Sequence, residues 1–168
     1  MRNEHRNNIL HMTIAPAEVS EDVAKEAHEL ALRLAQGFEL AGILAIELFV
    51  TKDERVIVNE LAPRPHNSGH YTIEACSFDQ FDAHIRGIAG WPLEQPELLK
   101  PAVMVNVLGQ HVAPTRALIA EHPEWNMHDY CKAEVRHDRK MGHITVLTDD
   151  TRQTVADLER TGCWDDLK

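Results

Sequence analysis

Two apolar runs, Ile43 to Val50 and Val56 to Leu61, flank five polar residues, Thr51-Lys52-Asp53-Glu54-Arg55. Strand-length runs rich in β-branched residues on either side of such a turn read as a β-hairpin. With the turn symmetric about Asp53-Glu54, Thr51 faces Val56 and Glu47 falls directly opposite Glu60 on one surface of the ribbon. Directly opposed side chains have Cβ atoms about 5 Å apart, where like charges destabilise. A cation between the carboxylates removes that cost. Mg2+, which keeps water and phosphate oxygens in its remaining positions, suits such a pair. The plainer alternative is that Glu47 faces solvent. Ile46, Leu48 and Val50 are expected on the opposite surface, toward a core.

The second strand runs into Ala62-Pro63-Arg64-Pro65-His66-Asn67-Ser68-Gly69-His70. Pro63 and Pro65 restrict the backbone around Arg64, so its guanidinium is presented at little entropic cost to a carboxylate or phosphate. Gly69 permits a close backbone approach or a positive φ. Asn67 and Ser68 are equally able to bond their own backbone. His66 and His70 would share a face only on a helix, which this Pro- and Gly-containing segment is not expected to form. The 11 histidines are otherwise scattered, so no structural histidine–metal site is expected.

A second polar cluster, Lys132 to His143, concentrates basic residues in a chain of net charge −10. It reads either as a solvated turn or as a local positive spot that holds one phosphate monoester. The acidic balance and the lack of interleaved aromatics argue against nucleic acid and membrane surfaces as partners. No apolar run approaches the roughly 18 residues of a membrane span, and no signal-like stretch follows Met1. Cys76, Cys131 and Cys163 are odd in number and widely spaced. They read as reduced, small buried hydrophobes of a cytoplasmic protein.

The remaining pattern is α+β with a boundary near residue 95. A strand over Ile9 to Ile14 precedes a helix capped by Ser20 and running to about Gln36. A helix from about Phe78 to Ala89 has Ser77 and Gln80 spaced as a capping box. Beyond a connector come strands over Ala102 to Leu108, Trp125 to Val135 and His143 to Leu147. Helices are expected over Thr115 to Glu121 and Asp150 to Arg160.

Taken together, Asn3 to Leu10, Glu47-Leu48-Phe49, Asn59 to His70, Ile85-Arg86-Gly87 with Trp91-Pro92, then Asn106, Leu108 and Gly109, and Lys132 to His143 resemble a known family. It is the C-terminal part of the 5-(carboxyamino)imidazole ribonucleotide synthetases, the ATPase subunit of bacterial phosphoribosylaminoimidazole carboxylase, in the ATP-grasp superfamily. Most ATP-grasp enzymes carry Glu-x-Asn-x-Arg where this chain has Glu60-Leu61-Ala62-Pro63-Arg64. The formate-dependent glycinamide ribonucleotide transformylases share that departure but continue Pro-His-Asp-Thr-Gly. Here the continuation is Pro65-His66-Asn67-Ser68-Gly69-His70, which favours the carboxyamino branch.

The resemblance implies that residues 1–94 form the C-terminal half of an ATP-grasp domain, an antiparallel sheet with helices. Residues 95–168 would form a small β-rich C-terminal domain. It further implies ATP, Mg2+, bicarbonate and aminoimidazole ribonucleotide as ligands, carboxyphosphate as intermediate, and a homodimer. By the same resemblance, Glu47 and Glu60 would hold metal, and His5, Asn59 and Glu60 would lie at the nucleotide. Arg64, His66 and Asn67 would cradle bicarbonate or carboxyphosphate. Ser68, Lys132, Arg136, Arg139 and Lys140 would serve the ribonucleotide. The glycine-rich loop of the preceding ATP-grasp half has no counterpart in these residues, so little ATP turnover is expected of the chain alone. Two other readings stay open: the formate-dependent transformylase, and a non-catalytic module that binds a phosphorylated metabolite.

Overall fold

The computed structural model describes residues 1–165. Its strands are β1 (Arg2–Arg6), β2 (Ile9–Ala15), β3 (Ala45–Val50), β4 (Val56–Ala62), β5 (Ala102–Leu108), β6 (Trp125–Asp129) and β7 (Lys140–Leu147). The helices are α1 (Glu21–Gly37), α2 (Thr72–Ala75), α3 (Gln80–Ala89), α4 (Val112–Leu118) and α5 (Thr151–Arg160). Five strands make an antiparallel sheet in the order β1-β2-β5-β7-β6, and β3-β4 is a separate ribbon. The larger sheet takes strands from both sides of residue 95, since β2 pairs with β5 from Met12↔Val105 to Ala15↔Ala102.

Register gives this sheet two unlike faces. Val103, Val105 and Val107 of β5 lie level with Met12 and Ile14 of β2 and with Ile144 and Val146 of β7. They form one apolar core with Val112, Trp125, Leu158 and Trp164, under α4 and α5. The intervening residues turn the other way, as strand alternation requires. That second face is buried and partly polar: Thr13, Asn106, His143 and Thr145 lie there beside Met104, all at most 2% exposed. The loop after β4, with α2, packs over it.

Helix ends follow their caps. Ser20 accepts from the Val23 N–H at the start of α1, and Asp150 accepts from Gln153 at α5. At α3 the expected capping box is replaced by Asp79, whose carboxylate accepts from Phe81 and Asp82. Ser77 is occupied elsewhere, its hydroxyl accepting from Glu97 N at 3.0 Å. Further differences are local. β1 is an additional edge strand, and the strand from Trp125 stops at Asp129 rather than Val135. The segment from Asn67 to Gly69 is a 3-10 turn, followed by α2. All three cysteines are free, and Cys131 is exposed rather than buried. Among the described residues no helix is long and apolar enough to cross a membrane.

Candidate functional site

The β3-β4 ribbon sets Glu47 directly opposite Glu60, by a route the symmetric turn did not foresee. At the tip Val50 pairs with Val56 and Leu48 with Val58, one step out of the expected register. A bulge between Glu47 and Leu48 on one strand takes up Asn59 on the other and restores the Glu47↔Glu60 pair. The bulge also re-aims Asn59, whose Nδ2 donates to Glu47 Oε2 at 3.3 Å. Glu60 is exposed and makes no ion pair or hydrogen bond among the described residues. The other ribbon face is only partly covered: Ile46 and Leu48 are half-buried, but Val50 is 47% exposed.

His66 meets this pair from the loop, its Nε2 4.0 Å from Glu47 Oε1. The buried Ser68 fixes the ring, with its hydroxyl 2.8 Å from Nδ1 and its backbone N–H donating to the same nitrogen at 3.4 Å. With Nδ1 accepting, Nε2 carries the proton and faces the carboxylate. Burial lowers the His66 pKa below its ordinary value. Glu47 opposes that shift, Arg64 adds to it and Glu60 opposes it. Arg64 is exposed, held by an Nη1 bond to the Pro65 carbonyl at 3.2 Å. The Asn67 amide has both polar atoms buried with no partner. A buried amide without a protein partner is open to a water, an ion or a ligand.

Part of the basic cluster converges on the same place. The Lys140 amine is pushed down by burial, then by Arg64, while Glu47 raises it and Lys132 lowers it. Lys132 Nζ donates to the Lys140 carbonyl at 2.6 Å and lies over the Tyr130 ring at 5.5 Å. Arg136 pairs with Glu134, and Arg139 donates to the Glu134 carbonyl at 3.1 Å, so both close on their own exposed loop. The loop is seated on Gly109, where a Cβ would lie 1.9 Å from the Arg136 carbonyl oxygen. His5 is exposed on β1 and joined to none of these residues by a hydrogen bond or ion pair among the described residues.

Two features had no clear signal in the sequence. Gln80 is buried in the loop, its amide against the His66 backbone. Three histidines distant in sequence form a stack: His70 lies on His143 (ring centroids 4.7 Å), which lies on His128 (4.5 Å). His128 and His143 are ladder partners, which accounts for their contact. Glu74 meets His128 Nε2 at 2.5 Å, and the Tyr130 hydroxyl meets His143 Nδ1 at 2.9 Å. Burial, reinforced by the neighbouring rings, holds His70 down at about 4 and His143 at about 3, so both are neutral near pH 7.

Among the described residues no group of three or more His, Cys, Asp and Glu is disposed to hold a metal ion. Two opposed carboxylates, one unpaired, instead fit a hard cation that draws its other ligands from phosphate and water.

Residues 1–81 match the ATP-grasp domain and residues 102–157 the phosphoribosylaminoimidazole carboxylase C-terminal domain. A Staphylococcus aureus N5-carboxyaminoimidazole ribonucleotide synthase is 48% identical over 157 residues, covering 93% of this chain and 41% of the relative. The crystal structure of an S. aureus N5-carboxyaminoimidazole synthetase complexed with ADP superimposes with a TM-score of 0.91 at 46% identity. That match covers 99% of this chain and 44% of the other. An Aspergillus clavatus N5-carboxyaminoimidazole synthase in complex with ADP and aminoimidazole ribonucleotide gives 0.88 at 32% identity, covering 98% and 46%. The chain therefore spans under half the length of the relatives it matches. Within that span, it corresponds to the C-terminal part of the N5-carboxyaminoimidazole ribonucleotide synthases, with matches to both the ATP-grasp domain and the carboxylase C-terminal domain.

Proposed function

We propose that this chain supplies the metal and acceptor side of an ATP-dependent ligase that carboxylates aminoimidazole ribonucleotide with bicarbonate. The observation that carries this reading is the directly opposed pair Glu47 and Glu60, with His66, Arg64 and Lys140 in electrostatic reach. In the proposed reaction a bicarbonate oxygen attacks the terminal phosphorus of ATP, and ADP leaves. The substrate amine then attacks the carboxyl carbon of carboxyphosphate, and phosphate leaves. Glu47 and Glu60 would hold Mg2+, which would supply positive charge to offset the negative charge that develops in phosphoryl transfer. The chain's own groups do the positioning. His66 presents Nε2–H as a donor, Arg64 offers a planar fork for a carboxylate or phosphate, and Asn67 brings an uncommitted amide. Lys140, and Lys132 whose amine is held on the Lys140 carbonyl, would receive the ribonucleotide phosphate, with Arg139 on the adjoining loop and Arg136, tied to Glu134, contributing less. His5 and Asn59 are assigned to the nucleotide, as the family likeness implies. A homodimer and a cytoplasmic setting belong to the same proposal, and free thiols fit a reducing compartment.

The test is metal binding by the chain itself, with Mn2+ as a spectroscopic substitute for Mg2+. The parent chain is expected to bind Mn2+ with one-to-one stoichiometry, and Glu47→Gln or Glu60→Gln to weaken it at least about tenfold. Binding indifferent to both changes refutes the reading and leaves a module that senses phosphate alone.

A further inference from the structure

Gln80 has no role in the scheme above, yet few polar side chains in the molecule are more constrained. It is the first residue of α3 and only 5% exposed. Its Oε1 accepts from His66 N at 2.8 Å, and its Nε2 donates to the His66 carbonyl at 2.9 Å. That is the double bond pattern by which one extended strand holds its neighbour, here provided by a side chain. The remaining Nε2 proton reaches His70 Nδ1 at 2.9 Å. The Gln80 backbone N–H donates to Thr72 Oγ1 at 3.0 Å, and that hydroxyl donates to the Gly69 carbonyl at 2.6 Å. Residues 66 to 72 are thus closed around one amide.

The donor arithmetic of this network has a single solution. The His66 backbone N–H can only donate, so the amide oxygen must face it. The NH2 group then faces the His66 carbonyl and His70, so His70 Nδ1 must accept and its proton must sit on Nε2. His66 is constrained in parallel, because Ser68 occupies its Nδ1 and leaves Nε2–H toward Glu47. A side chain of equal volume without the amide would fill the space but leave both His66 backbone groups without partners. Gly69 completes the arrangement, since a Cβ there would lie 2.3 Å from Gln80 Oε1.

We propose that Gln80 is the positioning residue of the carboxylate site: one buried amide fixes the His66 backbone and the His70 tautomer, so that His66 stands as a hydrogen-bond donor toward Glu47. This assignment rests on reading Glu47, Glu60 and His66 as one site. Gln80 touches no reacting atom and acts only through His66.

Imidazole 15N NMR of the 168-residue chain tests it. Both His66 and His70 are expected as Nε2–H tautomers in the parent. In Gln80→Glu an oxygen replaces the NH2, and His70 is expected to switch to Nδ1–H so that it can donate to the new carboxylate. In Gln80→Met the shifts of His66 are expected to move to tautomer-averaged values, while those of the remote His28 and His122 stay fixed. A merely space-filling role moves none of these signals. Mn2+ affinity of Gln80→Met is expected to fall about tenfold, the low end for loss of an outer-shell partner. His70 found as Nδ1–H in the parent overturns the assignment without any variant. Parent-like tautomers at His66 and His70 in Gln80→Glu and Gln80→Met overturn it as well. Mn2+ that fails to bind the parent overturns the metal reading instead, and the tautomer pattern still decides the role of Gln80.

Discussion

Replacing Gly69 with alanine puts a methyl group where the Gln80 amide already sits. The new Cβ would lie 2.3 Å from Oε1 and 2.7 Å from Cδ of Gln80. Carbon–oxygen contact needs about 3.4 Å or more, so the amide must retreat by about 1 Å. Its bonds to His66, at 2.8 and 2.9 Å, do not survive a displacement of that size. Forcing atoms into a packed interior costs about 1–3 kcal/mol, and stranding buried polar groups costs about 1–3 kcal/mol more. A total of about 3 kcal/mol corresponds to a fall in Tm of roughly 9 °C for a domain of this size. Thermal and urea unfolding measure it, with Gly37→Ala as the control. No atom lies within 4 Å of a Cβ at Gly37, so that change should be neutral or stabilising by up to about 1 kcal/mol. In Gly69→Ala/Gln80→Ala the two costs should fail to add by about 1 kcal/mol or more, since the clash vanishes with the amide. A Gly69→Ala chain within about 0.5 kcal/mol of the parent, or fully additive costs, would refute the packing argument.

Other consequences are smaller in scope. Asp79→Ala should destabilise by about 1 kcal/mol in urea unfolding, because it strips the Phe81 and Asp82 N–H groups of their cap. Ser77→Ala should instead speed hydrogen exchange at Glu97 and leave α3 intact. Acid should weaken the fold through His70 and His143, whose folded pKa values near 4 and 3 lie below the ordinary 6.5. The unfolded chain then binds protons that the folded chain refuses, so stability is full above pH 6.5 and falls as pH drops toward 4. His143→Gln should flatten that part of a stability–pH curve. Lys132→Met is expected to weaken inorganic phosphate binding about tenfold by calorimetry, whereas Arg136→Ala, tied to Glu134, should change it little.

The Glu47–Glu60 pair came out as expected only because a bulge offsets the one-residue difference in register at the hairpin tip. The hairpin itself was legible because turn composition locates its tip to within a residue. The bulge that delivers Asn59 beside Glu47 was not, because no local signal marks where a ladder gains its extra residue. Ser77 and Asp79 are both competent caps, and only the distant claim of Glu97 on Ser77 decides between them. β1 shows no hydrophobic alternation and exists as a strand through its pairing with β2. The basic segment was visible as charge. Its partition was not: burial of Lys140 beside Arg64 separates it from Arg136, which spends its charge on Glu134. The histidine stack joins residues 70, 128 and 143, so no periodicity within any one segment encodes it. Gln80 reads as the far member of a capping box with Ser77, and its part in the loop emerges only when that loop folds over it.

The pairing of β2 with β5 limits how this protein can be cut or recombined. A break made at residue 95, where composition changes, would strip Ala102 to Val105 of their hydrogen-bonded neighbour and bare a row of peptide groups in a strand that is otherwise buried on both sides. Chimaeras between relatives should therefore exchange Arg2–Ala15 together with everything after the connector, treating the first strands as property of the later part of the chain.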